Sequence, residues 1–276
     1  MEKKKFIQVN ESVSIGNGRL TLIAGPCAIE NESMCFEVAT KLKELCDLND
    51  INYIFKSSFD KANRSSIKSK RGVGIKEGLQ ILDKIKNKLG IPVVTDVHES
   101  YQCELVSKVV DIIQIPAFLA RQTDLLMAAA KTGKIVNVKK GQFMAPWDMK
   151  NVISKLEESG NPNILLCERG SSFGYNNLIV DMTGILEMMS YGYPVVFDVT
   201  HSVQKPSGQG TSTGGNREYI YPLMKAGIAI GVDTIFAEVH PNPEVAISDG
   251  PNQLRLCDTE DILKNIKKLF LLSKEL

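Results

Sequence analysis

Cationic side chains recur at or just beyond the ends of short apolar runs in this chain. Lys56 ends YIFK, with Lys61 and Arg64 shortly after it; Arg121 follows IIQIPAF; Lys139 and Lys140 close IVNVKK; and Arg169 closes ILLCER. Asn63, Ser65 and Ser66 add neutral donors to the densest polar block, residues 56–72, and Gln114 sits inside IIQIP. A chain with a formal net charge of only +1 that gathers cations in this way is set up for a ligand with more than one anionic group. Charge runs usually form solvated surface, and Lys68, Lys70 and Arg71 are read that way. Lys139, Lys140 and Arg169 end apolar runs, where a buried cation needs an anionic partner. A second set has metal-ligand chemistry: Cys27, His201, Glu238 and Asp249. All three histidines, His98, His201 and His240, close apolar runs, and Asp96, Asp198 and Glu238 stand two or three positions before them.

The elements that must position these groups are eight apolar runs separated by segments of helical periodicity. Cys35, Val38, Ala39, Leu42, Leu45 and Cys46 mark one buried helical face, and Ile75, Leu79, Leu82, Ile85 and Leu89 another, which Gly90 ends before Pro92 opens the next strand. Similar patterns predict helices near 100–110, 123–132, 148–159, 177–190, 216–229 and 259–272. The strands are continuous rather than alternating apolar runs, as expected when both faces of a parallel sheet are covered. Eight strand–helix units without a composition break, and without GxGxxG after the first strand, favour a closed (β/α)8 barrel over an open doubly wound sheet. The expectation is one domain over residues 1–276, with residues 1–20 as a small hairpin turning at SIGNG, and the glycine-rich KPSGQGTSTGGN (205–216) as a lid. In such a barrel the C-terminal strand ends converge on one mouth. Strands one, seven and eight are contiguous there, so Cys27, His201, Glu238 and Asp249 could meet around a zinc, iron, manganese or cobalt ion. Singly, each has a plainer reading, a core cysteine or a satisfied strand-end histidine.

Global composition excludes more than it assigns. At 43% hydrophobic and 24% charged residues the chain is ordinary and globular, and its near-neutral balance gives no sign of a nucleic-acid or membrane partner. Six cysteines without a CxxC pair suggest reduced thiols, and no apolar targeting segment is visible at the N-terminus, so the cytoplasm is the expected location. GxSxG, HExxH and P-loop patterns are absent. A Schiff-base role for Lys139 competes with anion binding, but two adjacent lysines with Arg169 fit the latter better.

IAGPCAIE (23–30), FKSSFDKANRSS (55–66), TDVHES (95–100), NVKKGQF (137–143), FDVTHSVQ (197–204) and AEVHPNPEVAISDGP (237–251) resemble the 3-deoxy-D-manno-octulosonate-8-phosphate synthases over essentially the whole chain. FDKANRSS is the most specific block. The related heptulosonate-7-phosphate synthases, which use erythrose 4-phosphate, share the barrel and a GPC-type first strand but lack it, and are the runner-up. A barrel that only binds a metal or a phosphorylated ligand is the third alternative, yet every expected mouth position is filled.

The resemblance implies condensation of phosphoenolpyruvate with arabinose 5-phosphate and water, to supply a lipopolysaccharide precursor. By resemblance Lys56, Lys61, Gln114, Lys139 and Arg169 hold phosphoenolpyruvate. Asn63, Arg64 and Ser65 hold the sugar phosphate, with Arg121 reaching it from a neighbouring subunit of a homo-oligomer, a tetramer in the family. Asp96, His98 and Lys61 are the proton-transfer or water-positioning candidates. Cys27, with His201, Glu238 and Asp249, resembles the metal-dependent class, whereas metal-independent members carry Asn in place of this Cys. Two departures stand out: Lys68 replaces a common His, and SDGPN mixes features of both classes.

Overall fold

The computed structural model describes residues 5–205 and 214–276. Eight parallel strands form a closed barrel: β1 (Thr21–Gly25), β2 (Asn52–Lys56), β3 (Val93–Asp96), β4 (Ile112–Ile115), β5 (Ile135–Lys139), β6 (Ile164–Glu168), β7 (Val195–Asp198) and β8 (Thr234–His240). Each pairs with its successor, and β8 closes the ring by pairing with β1. Helices follow each strand: α1 (Glu32–Leu48), α2 (Ile75–Leu89), α3 (Ser100–Ser107), α4 (Thr123–Lys131), α5 (Met149–Glu158), α6 (Met182–Met189), α7 (Ile220–Ala229) and α8 (Thr259–Leu272). The expected barrel is therefore the observed one. Among the described residues no helix is long and apolar enough to cross a membrane.

Local chemistry explains the boundaries. Asn31 caps α1 by accepting the Met34 N–H, and the face that α1 buries is the six-residue set expected from its spacing. Gly90 ends α2 in the left-handed conformation that glycine adopts without a Cβ penalty. Two helices start later than their periodicity suggests. Residues before α6 first fold into an antiparallel ribbon, Ser171–Ser172 with Leu178–Ile179, and Asp181 then caps the helix by accepting the Thr183 N–H. A 3-10 turn, Arg217–Tyr219, precedes α7.

Two apolar cores result. One lies between strands and helices; the other fills the barrel itself and includes Ile23, Ile54, Val94, Ile112, Ile135, Leu165, Cys167, Val196 and Phe236. Side chains alternate along a strand, so the inward positions are every second residue. Following that parity toward the C-terminal ends gives Cys27 from Ile23, Lys56 from Ile54, Asp96 from Val94, Gln114 from Ile112, Lys139 from Ile135, Arg169 from Leu165, Asp198 from Val196 and Glu238 from Phe236. Polar chemistry thus begins in the barrel where the apolar layers stop.

The opposite end is closed by the hairpin, whose Ile7, Val13 and Ile15 join the inner core. Its strands are Ile7–Gln8 and Ser14–Ile15, so the turn falls at Asn10 and not at SIGNG. The Asn10 side-chain oxygen accepts the Ser12 and Val13 N–H groups and closes that turn locally, while Gly16 and Gly18, both with positive φ, lead into β1. All six cysteines are free, five of them buried. Residues 206–213, most of the stretch read as a lid, lie outside the described residues; the flanking Gln204–Lys205 and Gly214–Gly215 pair as a short ribbon.

Candidate active site

A cavity of about 1080 Å³ opens at the C-terminal mouth. Its lining includes Lys56, Lys61, Asn63, Arg64, Ser65, Asp96, His98, Gln114, Lys139, Arg169, His201 and Asp249. Those side chains, expected from sequence to share a site, do share one. Cys27 and Glu238 are not part of the lining but touch it, Cys27 through Asp249 and Glu238 through Lys56. Arg121 does not line this cavity; it is exposed, and its backbone carbonyl accepts from Lys155.

The cations of the floor differ in how they are engaged. Lys56 is 1% exposed and donates to Glu238 Oε1 at 3.2 Å, Ser58 Oγ at 3.0 Å and the Cys27 carbonyl at 3.2 Å, which uses all three ammonium hydrogens. Lys139 donates to Asp198, stands 3.4 Å from His201 Nδ1 and lies 3.9 Å above the Phe236 ring. An ammonium held by a carboxylate and an aromatic face is a charge carrier rather than a neutral Schiff-base amine. Arg169 is 4% exposed; its NH2 donates to Gln204 at 2.6 Å, while its Nε and NH1 find no partner among the described residues. Burial drags its pKa down, and Asp198 and Asp249 act against that.

Lys140, expected beside Lys139 as a buried cation needing an anionic partner, points the other way. It falls on outward parity, is fully buried behind the sheet, lies 3.5 Å from Glu168 and donates to Ser171 at 2.9 Å. Glu168 in turn accepts the Arg169 and Gly170 N–H groups, so this pair shapes the backbone beneath Arg169 and takes no part in the cavity.

One carboxylate, Asp96, organises the acid–base side. Asp96 Oδ2 lies 3.2 Å from His98 Nε2, and the His98 ring meets Phe59 edge-on at 5.9 Å between centroids. Burial pushes Asp96 up, but the His98 hydrogen bond with Lys56 and Lys61 outweighs it and holds the carboxyl well below its usual range. Asp96 Oδ1 and His98 Nδ1 are buried without partners among the described residues. For Lys61, burial favours the neutral amine, yet Cys27, Glu238, Asp96 and Asp249 hold its pKa well above the ordinary lysine value.

Cys27, Glu238 and Asp249 present S and O atoms all within 4.8 Å of one another, with the Cys27 thiol donating to Asp249 Oδ2 at 3.5 Å. His201 Nε2 stands 3.5 Å from Glu238 and 4.0 Å from Asp249. Asp198 faces His201 Nδ1 at 2.7 Å and also accepts the His201 backbone N–H at 2.9 Å, which fixes the ring with Nε2 toward Glu238 and Asp249, at the edge of the three-residue group and not within it. Glu238 Oε2 is buried with no partner among the described residues. Burial raises the Glu238 carboxyl, but His201, Lys56, Lys61 and Lys139 bring it down to about 2. Burial and the Glu238 charge push the Cys27 thiol far up.

At the rim, Arg64 staples two loops: Nε donates to the Lys70 carbonyl and NH1 to Ser248 Oγ, each at 3.0 Å, and NH2 reaches the Ile247 carbonyl. Lys68 is fully on the surface, as read from sequence. Gln142, Gln204 and Arg217 line the cavity without having been singled out from sequence, and Asp198, noted there only as the acid before His201, holds Lys139 and His201. For Asp198 its inward parity on β7 was a further signal; Gln142 and Arg217 lie outside strands, Gln204 lies in the short Gln204–Lys205 ribbon, and none of the three carries one.

The sequence profile of the DAHP synthetase I family matches residues 4–275. A protein of Fusobacterium nucleatum subsp. nucleatum named 2-dehydro-3-deoxyphosphooctonate aldolase is 65% identical over 258 residues, covering 94% of this chain and 93% of its own. Proteins of the same name from Cyanothece sp. and Agrobacterium fabrum are 57% and 56% identical, covering 94% and 90% of this chain and 96% and 88% of their own. With matches this close along nearly its whole length, the chain belongs to the DAHP synthetase I family, among the 2-dehydro-3-deoxyphosphooctonate aldolases.

Proposed function

We propose that the chain condenses phosphoenolpyruvate with arabinose 5-phosphate and water to give 3-deoxy-D-manno-octulosonate 8-phosphate and inorganic phosphate. One observation carries the reading: Arg169 is a buried guanidinium with two open donors, set beside Lys139 and Lys61 on the floor of a mouth large enough for two substrates. Two open N–H groups on one planar fork suit a phosphate or carboxylate. Arg169, Lys139 and Lys61 would neutralise phosphoenolpyruvate, with Lys56 adding charge from below and Gln114 closing the floor. Asn63, Arg64 and Ser65 would bind the sugar phosphate at the rim, Arg64 by exchanging one of its loop carbonyls for phosphate oxygen. We place Arg121 in the mouth of a neighbouring copy of a homo-oligomer, since it stands exposed and away from its own. Cytoplasmic location is part of the same reading.

In the reaction, C3 of the enol attacks the aldehyde carbon, water adds at C2, and the resulting hemiketal phosphate expels phosphate. Lys61, held cationic by its four neighbours, acts as a positive charge and not as a proton acceptor. Asp96 keeps its charge and has one open oxygen, so the Asp96–His98 pair is the group suited to orient the attacking water and receive its proton.

The S, N, O and O donors of Cys27, His201, Glu238 and Asp249 fit a divalent first-row ion. What supports this is the open Glu238 oxygen, the His201 ring held through Nδ1 by Asp198, and a Cys27 thiol that needs a cation in place of its proton to ionise. When bound, the ion would polarise the aldehyde oxygen or activate water.

Phosphate release is the test, with arabinose 5-phosphate and erythrose 4-phosphate compared before and after chelation and with divalent metal restored. Turnover with the pentose phosphate that disappears on chelation and returns with metal is expected, and Cys27→Asn should purify with little or no metal. Chelator-resistant turnover removes the metal, and activity with erythrose 4-phosphate alone replaces the substrate.

A further inference from the structure

We propose that Gln253, outside both the ligand set and the substrate sets, is a positioning residue that sets the spacing between Cys27 and Asp249. The inference rests on the metal reading given above. Gln253 follows the 3-10 turn Gly250–Asn252 and is 1% exposed. Its side-chain oxygen accepts the Cys27 N–H at 3.1 Å, and its side-chain nitrogen donates to the Ser248 carbonyl at 2.8 Å. A donor at one end and an acceptor at the other fix which way round the amide lies. One buried side chain therefore joins the backbone of the first thiol candidate to the residue immediately before the last carboxylate candidate.

The joint is needed because neither partner sits in a regular element. Cys27 lies beyond β1, and Asp249 holds a left-handed backbone, φ 49° and ψ 28°, which Asp tolerates but which surrounding contacts must maintain. The Asn252 N–H bonds to the Asp249 carbonyl at 2.8 Å and closes the turn behind it. Other side chains grip the same loop: Arg64 at Ile247 and Ser248, Arg217 at the Gly250 carbonyl, and Glu30 at the Ile247 N–H. Those contacts fix the loop to the mouth without touching Cys27. Gln253 ties it to the Cys27 backbone, so the 3.5 Å separation of thiol and carboxylate depends on this amide. Residues that orient ligands without binding the ion alter affinity rather than ligand identity.

The experiment titrates metal-free full-length protein with Co2+ and reads the near-ultraviolet thiolate-to-cobalt charge-transfer band together with bound stoichiometry. Gln253→Met removes both hydrogen bonds at nearly constant volume; Gln253→Asn keeps the amide but is one methylene too short to span both partners; Cys27→Ala is the control. The wild type should give a band that Cys27→Ala abolishes. Gln253→Met should bind Co2+ about 10–100-fold more weakly with a diminished band, and Gln253→Asn should fall between it and wild type. Should Gln253→Met fail to fold, Gln253→Asn decides. Unchanged affinity and band in the folded Gln253 variants overturns the positioning role and leaves the metal reading standing. A wild type without a Cys27-dependent band overturns the metal reading and this inference with it.

Discussion

The two ends of the barrel are made from the same eight strands and obey opposite rules. At the hairpin end Ile7, Val13 and Ile15 complete an inner core of aliphatic and aromatic side chains, and the buried Asn52 amide beside it donates to the Ser14 carbonyl and Thr21 Oγ1. Two residues further along five of the strands, and four along β5, on the same inward parity, stand Lys56, Asp96, Gln114, Asp198, Glu238 and Lys139, buried to 6% exposure or less. Burying a charge is costly unless it is paired, and most of these are. Lys56 binds Glu238 and Lys139 binds Asp198. What separates the mouth from an ordinary buried ion network is its remainder: Arg169 Nε and NH1, Asp96 Oδ1, His98 Nδ1 and Glu238 Oε2 all lack partners among the described residues. Each buried polar atom left open costs about 1–3 kcal/mol. Among the described residues most such atoms gather at this end, with Asn137 Oδ1 the exception inside the barrel, and a fold that concentrates them there is spending stability on ligand binding.

The comparison is most sharply tested at Arg169. Arg169→Ala removes the open donors and should lower kcat/KM about 10²–10³-fold, the usual loss for a preorganised charge-stabilising donor. Thermal stability should hold or rise, because an underpaired buried cation is lost. A variant that keeps wild-type turnover, or unfolds, would mean that Arg169 is a structural cation like Lys140.

A smaller effect is expected at Asp96→Asn. Near neutral pH the loss of a charge-assisted hydrogen bond to His98 should cost about 1.5–3 kcal/mol. Because the folded pKa of Asp96 lies below its unfolded value of 3.8, its contribution is fully present above pH 3.8 and is lost as pH falls through the folded value. Urea denaturation of the wild type and variant should therefore show a stability gap that is constant from pH 7 to about 5 and narrows below 3.8. A gap independent of pH down to acid unfolding contradicts an ionised Asp96.

Much of this architecture was legible beforehand, for identifiable reasons. Eight doubly covered strands leave continuous apolar runs, and both α1 and α2 carry faces and end signals that need no tertiary context. The strand-end residues were legible too, since an apolar run that stops at a charge marks the last inward layer. What failed was local or long-range. Adjacent Lys139 and Lys140 look alike as text, but strand parity sends one into the barrel and the other behind it. SIGNG carries the stronger glycine signal, while the Asn10 side chain makes the actual hairpin turn. Gln253 could not be singled out from spacing, because its two partners lie 226 and 5 residues away and meet only once the barrel closes.

The hairpin end supplies the smallest and most discriminating effect. Ile15 is fully buried in the inner core, on the second hairpin strand, and makes its contribution by packing. Ile15→Val deletes one methyl-sized group there and should cost about 0.5–1.5 kcal/mol. Nothing polar is left unpaired by it, so kcat/KM and the Co2+ affinity should stay at wild-type values while the urea midpoint falls. Interior strands are close-packed and transmit strain, so this outcome is a real test. Should Ile15→Val change the Co2+ affinity or kcat/KM, the apolar layers would be coupled to the geometry of the mouth, and the division between a packing end and a chemical end would have to be replaced by one continuous core.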